Sequence, residues 1–333
     1  MVIYDLSTQW VSIGDMLLYQ EASLVLREVY HIDTVDFAVV YDSGSSSQLN
    51  LFTKETFPFY LASVLPIAQI NQYLGSLFIF DSHAHLERFV ADNMNYYQVW
   101  PPAWYFAQGD QNAFIMNEVI DRYFKKWGTI PSLSCRQFLV DWAQNFYREH
   151  VFPQIPVTVQ IRNNPSSEPH RNSNMESWLQ FFHFCKDKYP VKFIVVCSIS
   201  EVDPRLRECP NVILAKDHHT GIEQDLVLIQ TAAIHTGASS GPSAVAMFNS
   251  KPYLIVNMDL DPHKPFRGLV RDGPFLRYNF AAPLQRYAKG TETVELLVEE
   301  FAKMWASVDA THWYMPKDSG SKPGDGLFTS CIR

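Results

Sequence analysis

The chain alternates between short apolar runs of strand length and longer segments with helical spacing. The apolar run Val2–Leu6 comes first, and apolar residues then recur at intervals of three and four between Leu18 and Val29. These spacings predict a strand followed by a helix, and the β-branched, aromatic run Val35–Tyr41 predicts a second strand. A strand–helix–strand order indicates a parallel sheet with helices on its faces.

The same rhythm starts again after Phe152–Pro156, where two prolines interrupt a long helical stretch and predict a boundary. The predicted strands beyond it are Val157–Arg162, Lys192–Ser198, Val212–Ala215, Ala233–Thr236 and Tyr253–Asn257, and the predicted helices are Met175–Lys188, Ile222–Gln230, Ser243–Asn249 and Val294–Trp305. We therefore predict an α/β protein of two Rossmann-like, doubly wound domains that face a cleft. Their expected ranges are 1–152 (the first half) and 153–315 (the second half), followed by a mobile tail, 316–333.

Composition places the chain among well-packed proteins. Of its 333 residues, 47% are hydrophobic and 19% are charged, which excludes a disordered chain. No run of eighteen apolar residues occurs, so we expect no transmembrane helix. The five cysteines show no CxxC spacing and no secretory signal opens the chain, so we expect a reducing, cytoplasmic location.

The charge balance argues against one class of partner. Lys and Arg total 27 against 35 Asp and Glu, a net charge of −8. A protein that binds nucleic acid through its phosphates needs a basic surface, so no nucleic-acid partner is expected. An anionic ligand would have to be held by a few local groups instead.

The segment Ile234–Phe248 is the sharpest candidate for such a local site. An apolar strand runs into a loop of small residues and then into a helix with Pro242 at its first position. We expect the N–H groups of Ser243 and Ala244 to be free to bind an anion, preferably phosphate. The hydroxyls that can add donors are those of Ser239, Ser240 and Ser243. A tight turn that merely requires small residues explains the pattern equally well.

Arg162 and Asp15 are the other two candidates. Arg162 ends a predicted strand, at the edge where open α/β sheets bind ligands, and a guanidinium there can grip a diphosphate. Asp15 opens the first helix, where it could act as a general base facing the cleft. Its spacing from Ser12 also fits the carboxylate of a capping box. A surface arginine and a helix cap are the plain alternatives.

One motif suggests a different reaction. Asp81-Ser-His-Ala-His85 follows an apolar run and is similar to the HxH metal motif of amidohydrolase barrels. In those barrels the motif lies on the first strand, whereas here a βαβ-like stretch precedes it. A metal-dependent hydrolase using Asp81, His83 and His85 stays open as an alternative function.

Three segments, taken in order, resemble a known family. Ser12-Ile-Gly-Asp15, with the helix and strand after it, resembles the opening of bacterial heptosyltransferases, and Gly237–Pro252 resembles their donor-site loop. Val157–Arg162 is similar to the strand end of fucosyltransferase-type enzymes, whose arginine grips the donor diphosphate, although Gln160 stands where that pattern has His. The chain thus resembles nucleotide-sugar glycosyltransferases of the GT-B fold.

The resemblance implies transfer of a sugar from a nucleoside-diphosphate sugar to a glycan or glycolipid hydroxyl, with inversion and without a metal or separate cofactor. Asp15 is then the base that deprotonates the acceptor. The residues implied at the donor are Arg162, Asp217, His218, Ser239, Ser240, Gly241 and Ser243, with Asp217 and His218 at the base or ribose. GDP, UDP and ADP sugars all fit such a diphosphate site.

Two further readings stay open beside this one. A nucleotide-sugar epimerase would share the fold and the donor site, and a catalytically weak protein could bind a glycan or a nucleotide. The acceptor, a glycan or lipid-linked glycan, is expected against the first half. The aromatic stretch Trp100–Phe106 fits either a sugar or membrane contact or the core. A cytoplasmic protein, peripheral at the inner face of a membrane, is the expectation.

Overall fold

A computed structural model of the chain describes residues 1–6, 12–41, 57–101, 113–165, 168–258 and 269–309. The predicted tail, 316–333, lies outside the described residues, as does most of the aromatic stretch that begins at Trp100. None of the described helices is long and apolar enough to cross a membrane.

The first half is built on a parallel sheet of three described strands, in the order β1-β2-β3. The strands are β1 (Val2–Asp5), β2 (Val35–Val40) and β3 (Leu74–Phe80). The helices are α1 (Ile13–Tyr30), α2 (Phe57–Ser63), α3 (Leu65–Ala68), α4 (His83–Asp92), α5 (Ala113–Trp127) and α6 (Gln137–His150). Helix α1 connects β1 to β2, as the apolar spacing predicts.

The side chains of β1, which point alternately to the two faces of this sheet, show that helices cover both faces. Successive side chains of a strand point to opposite faces. Val2 and Tyr4 belong to the large apolar cluster that contains α1, whereas Ile3 packs with Leu86 of α4 in a separate cluster. The first half is therefore wound on both faces, with α1 on one side and α4 on the other.

The second half holds an eight-stranded sheet in the order β6-β5-β4-β7-β8-β11-β10-β9. Its strands are β4 (Ile155–Gln160), β5 (Val191–Val196), β6 (Val212–Leu214), β7 (Ile234–Ala238), β8 (Tyr253–Val256), β9 (Leu269–Asp272), β10 (Phe275–Tyr278) and β11 (Gln285–Ala288), and its α-helices are α7 (Met175–Lys186), α8 (Ile222–Thr231), α9 (Ala244–Met247) and α10 (Val294–Trp305). Among the strand pairs that the structure describes in this sheet, β9–β10 and β10–β11 are antiparallel and the others are parallel. This confirms the predicted α/β class with parallel sheets.

Two parts of the second half differ from the sequence prediction. The strands β9, β10 and β11 lie in a stretch that the pattern leaves without elements, because each has only four residues and mixes apolar with charged positions. The predicted helix Ser243–Asn249 is shorter, α9, and a 3₁₀ turn, Gly241–Ser243, precedes it.

Strand order creates a switch point between β4 and β7. The chain proceeds from β4 outward through β5 to β6, then returns to place β7 on the other side of β4. Ligands of open α/β sheets bind at the carboxyl ends of the strands where the order reverses. The residues that follow β4 and β7 are therefore candidates for a ligand-binding site.

The two halves share one apolar core in the described residues. The cluster around α1 continues through α8, α9 and β8 of the second half. Tyr147 of α6 donates a hydrogen bond to the Leu228 carbonyl at 3.0 Å and lies 2.8 Å from the Thr231 hydroxyl. The predicted boundary at residues 152–153 falls in the link between α6 and β4, and the division into two domains stays a prediction.

Candidate active site

Arg162 and Ser239 lie at the switch point, on neighbouring strands. In the register of β4 and β7, Gln160 is opposite Gly237, so Arg162 and Ser239, each two residues further, reach the same level. The structure thus brings together two of the candidates that the sequence places 77 positions apart.

Gly237 permits this close approach of the two strands. Its φ is +143°, and a Cβ on it would lie 2.3 Å from the Gln160 carbonyl oxygen and 2.5 Å from the Gln160 nitrogen. No other residue type fits such a contact with backbone atoms. The glycine therefore sets the spacing between the strands that carry Arg162 and Ser239.

Arg171 is a second arginine at the switch point, and it is not among the donor-site residues that the sequence predicts. Its guanidinium donates to the Ser239 carbonyl from Nε at 3.1 Å and from Nη2 at 2.6 Å, and to the Ser239 hydroxyl at 3.3 Å. Nη1 pairs with the Glu168 carboxylate. Burial, and then the charge of Arg171, lower the pKa of Arg162, while the carboxylates of Glu201 and Glu168 oppose that shift. Two cations close to each other are a local arrangement that an anion would stabilise.

The loop between β4 and α7 holds the two arginines in place. The Arg162 N–H donates to the Ser173 hydroxyl at 3.1 Å, and the Arg162 carbonyl accepts the Ser173 N–H at 2.8 Å. The Asn164 N–H donates to the Asn172 side chain at 2.9 Å, and the Asn172 amide donates back to the Asn164 carbonyl at 3.0 Å. These paired bonds close the loop at its base.

The turn after β7 corrects one expectation. The N–H of Ser243 donates to the Ser240 carbonyl at 3.2 Å, and the N–H of Ala244 donates to the carbonyls of Gly241 and Pro242. The prediction that these two N–H groups are free is wrong, because the 3₁₀ geometry satisfies them inside the turn. Pro242 does stand at the start of the turn, as predicted.

Asp15, in the first half, directly follows the residues of α1 that contact this turn. A Cβ on Gly241 would lie 2.8 Å from the Ile13 Cβ and 3.1 Å from the Gly14 nitrogen, so the start of α1 touches the turn directly. Ser12 caps α1 as predicted, because its hydroxyl accepts the Asp15 N–H at 3.0 Å; the Asp15 carboxylate accepts the Ser12 hydroxyl at 2.7 Å, in place of the backbone N–H that completes a capping box. The helix that bears the candidate base therefore begins in contact with the candidate donor loop.

The carboxyl group of Asp15 is tuned towards neutral pH. Burial raises its pKa to about 6, while the hydrogen bond from Ser12 opposes that rise. Tyr4 of β1 is fully buried nearby, and its own pKa is raised by burial and by the charge of Asp15. A carboxylate with a pKa just below neutral is well suited to accept a proton as a general base.

Asp217 and His218 are engaged elsewhere. They follow β6, which β5 separates from β4. Asp217 accepts two hydrogen bonds from Arg207, at 2.9 and 2.7 Å, and this pairing lowers the pKa of Asp217. The His218 ring lies 4.2 Å from that of His150. Their expected contact with the base or ribose stays a prediction.

The Asp81–His85 motif does not assemble into one cluster. His83 Nε2 lies 2.8 Å from the buried carboxylate of Asp5, whereas His85 Nδ1 lies 2.5 Å from Asp81. In the described part of the chain, no group of three or more His, Cys, Asp or Glu side chains is arranged to hold a metal ion. The geometry pairs each histidine with its own carboxylate.

Comparisons with known proteins define the class of fold. No family model matches the chain. No curated protein matches it either. Solved structures do: the ADP-heptose LPS heptosyltransferase II of E. coli superposes with a TM-score of 0.54 and 11% identity, over 92% of this chain and 99% of that one. The fold is therefore the GT-B fold of glycosyltransferases, as the sequence resemblance implies.

Two further structures agree with this assignment. A glycosyl transferase of family 9 from Veillonella parvula gives a TM-score of 0.51 at 13% identity, over 92% of this chain and 89% of that one. The E. coli heptosyltransferase WaaC, solved with ADP, gives 0.50 at 12% identity, over 91% and 99%. The shared fold extends over nearly the whole length of each of these enzymes.

Proposed function

We propose that the protein is a glycosyltransferase that moves a sugar from a nucleoside-diphosphate sugar to a hydroxyl group of a glycan or glycolipid. The observation that carries the proposal is that two arginines, Arg162 and Arg171, lie beside Ser239, and that the turn after Ser239 contacts the start of α1, the helix that bears Asp15. The fold supports it, because open α/β sheets bind their ligands at the carboxyl ends of the strands at the switch point.

The donor diphosphate is held by the arginines in this proposal. A guanidinium can donate two parallel hydrogen bonds to a phosphate group, and Arg remains charged under all conditions in which a protein folds. Ser239, Ser240 and Gly241 form the adjoining wall of the site. Asp217 and His218 are retained as candidates for the base or ribose, and the nucleotide is ADP, GDP or UDP.

The reaction proposed for Asp15 is a single displacement. Its carboxylate takes the proton of the acceptor hydroxyl, whose oxygen forms a bond to the anomeric carbon as the bond to the diphosphate breaks. The leaving diphosphate gains negative charge, which the guanidinium groups of Arg162 and Arg171 stabilise electrostatically. One displacement inverts the anomeric configuration, and the proposal requires no metal ion.

The acceptor is placed against the first half, on the Asp15 side of the turn. A lipid-linked acceptor would bring the protein to the inner face of a membrane as a peripheral enzyme. We propose a glycan or lipid-linked glycan for this role because the transferred sugar needs a hydroxyl next to Asp15.

The proposal is tested first by ligand binding. Thermal-shift measurements with ADP, GDP, UDP and CMP should single out one nucleotide, since a ligand at 100 times its Kd stabilises the native state by about 2.7 kcal/mol. Arg162→Ala and Arg171→Ala should abolish that shift, whereas Arg205→Ala, at an exposed arginine paired with Asp203, should retain it. If no nucleotide raises the melting temperature, the proposal fails.

Catalysis is tested with Asp15→Asn. With the preferred nucleotide sugar as donor, this variant should bind the nucleotide as the wild type does and lose transfer by about 10²–10⁴-fold, the usual contribution of a general base. Full turnover by Asp15→Asn would refute the assignment of the base.

A further inference from the structure

A line of three buried polar side chains connects the adjacent strands β4 and β7 to the turn. Thr158 of β4, His235 of β7 and Ser243 of the turn are only 0%, 2% and 1% exposed. The Thr158 hydroxyl lies 3.1 Å from His235 Nδ1, and the Ser243 hydroxyl lies 3.0 Å from His235 Nε2. Both ring nitrogens of the histidine are thus bonded to hydroxyls.

Burial determines the charge state of this line. Because His235 is completely enclosed, its pKa is lowered to about 3, and the ring is neutral at physiological pH. A neutral imidazole donates from one nitrogen and accepts at the other, so one hydroxyl must accept and the other must donate. Each hydroxyl also has a carbonyl acceptor at a longer distance: Thr158 lies 3.5 Å from the Ile234 carbonyl, and Ser243 lies 3.4 Å from the Ala238 carbonyl.

The line joins the parts of the candidate active site. Thr158 and His235 are opposite each other in the register of β4 and β7, and β4 continues to Arg162. Ser243 belongs to the turn whose Gly241 touches the start of α1. Burying polar groups costs free energy unless their hydrogen bonds are satisfied, and an apolar trio would fill this core without that cost.

We propose that His235 is a positioning residue: through Ser243 and Thr158 it holds the turn that faces Asp15 at a fixed place relative to the strand that carries Arg162. This inference rests on the proposed function. It also gives Ser243 a role different from the predicted one, since the serine hydroxyl points into the core and acts on the donor site through the turn.

The test compares isosteric removals of buried hydroxyl groups. Thr158→Val and Ser243→Ala each break one end of the line, and Thr231→Val is the matched control, because its buried hydroxyl bonds to Tyr147 and to the Val227 carbonyl, away from the turn. Each variant is assayed for unfolding in urea and for the Kd of the nucleotide that binds the wild type.

We expect Thr158→Val and Ser243→Ala to weaken nucleotide binding by about tenfold, the loss of one buried hydrogen bond. The double variant should be little weaker than the worse single variant, because both act through one histidine. Thr231→Val should lower the urea midpoint and leave Kd unchanged. Kd values within twofold of wild type in both line variants, or an equal loss in Thr231→Val, would overturn the positioning role.

Two further measurements keep the result decisive. If a line variant does not fold, His235→Gln, whose amide can donate and accept, should retain more nucleotide affinity than His235→Leu, and equal affinities would contradict the proposal. Nitrogen-15 spectra of the free protein should show one neutral tautomer of His235 that changes in Ser243→Ala. A charged ring, or no change, overturns the line itself, whereas a wild type that binds no nucleotide overturns the proposed function.

Discussion

If Asp15 is the proposed base, the hydrogen bond between Ser12 and Asp15 sets the pH dependence of the proposed transfer reaction. Burial raises the pKa of Asp15 to about 6, and the bond from Ser12 limits that rise. A base with this pKa is about nine tenths deprotonated at pH 7, and kcat/KM should fall on the acid side with a midpoint near 6. The variant Ser12→Ala removes the donated bond while the burial stays.

The size of the effect follows from the strength of that bond. A hydrogen bond to a charged group contributes about 1.5–3 kcal/mol, and one pKa unit corresponds to about 1.4 kcal/mol. Asp15 keeps some contact with water, so we expect a shift of about one unit, to a midpoint near pH 7. Activity at pH 7 should then fall about twofold, while activity above pH 8 should approach that of the wild type.

The assay is the rate of transfer from the preferred nucleotide sugar between pH 5 and 9. Ser82→Ala is the matched control, because Ser82 caps α4 in the same way, by accepting the His85 N–H at 3.3 Å. Both variants should lose about 1 kcal/mol of stability with the cap, and only Ser12→Ala should move the acid limb. An acid limb that stays in place in Ser12→Ala, or moves equally in Ser82→Ala, would refute the reasoning.

The remaining predictions concern stability and the arginines. The pKa of Asp15 is raised in the folded state from 3.8 to about 6, so the stability of the protein should fall as pH rises through this range. Urea unfolding should therefore show that Asp15→Asn raises the free energy of unfolding by about 1–2 kcal/mol at pH 7. Below pH 4 the same substitution should have no such effect. Gly237→Ala should abolish folding or lower the free energy of unfolding by more than about 3 kcal/mol in the same assay, because its Cβ would overlap the Gln160 backbone. The control Gly128→Ala has open space around it and should cost only about 1 kcal/mol of backbone strain. Arg171→Lys keeps the charge and loses the forked contact with Ser239, so calorimetry should show nucleotide binding weakened by about tenfold or more.

Local spacing was sufficient for much of the fold and part of the site. The α1 helix, its Ser12 N-cap and Pro242 at the turn are consequences of residues within four positions of one another, and the sequence predicts all three. The carboxyl ends of β4 and β7 were also predictable, because parallel strands end at one edge. The sequence therefore predicts that Arg162 and Ser239 lie at the same edge of the sheet, and that prediction does not depend on strand order.

Contacts across long distances in the chain were not predictable in this way. Arg171 bonds to Ser239, 68 residues later, from a short 3₁₀ turn that has no apolar periodicity. Whether the N–H groups of Ser243 and Ala244 are bonded inside the turn depends on whether the turn begins as a 3₁₀ or an α-helix. The sequence Ser-Gly-Pro-Ser does not decide between the two. Strand order, which makes β4 and β7 neighbours, is likewise a property of the whole sheet.

Polar residues inside β4 and β7 are a signal that sequence reasoning could have used. Central strands of a parallel sheet are covered on both faces and read as continuous apolar runs. Here Thr158, Gln160, His235 and Thr236 interrupt those runs, and all four are buried. Buried positions that depart from the expected apolar pattern are typical of functional or strained sites. The interruptions fall on the two strands of the switch point, directly below the residues proposed to hold the donor, so the polar positions of these strands mark the functional edge from within the core.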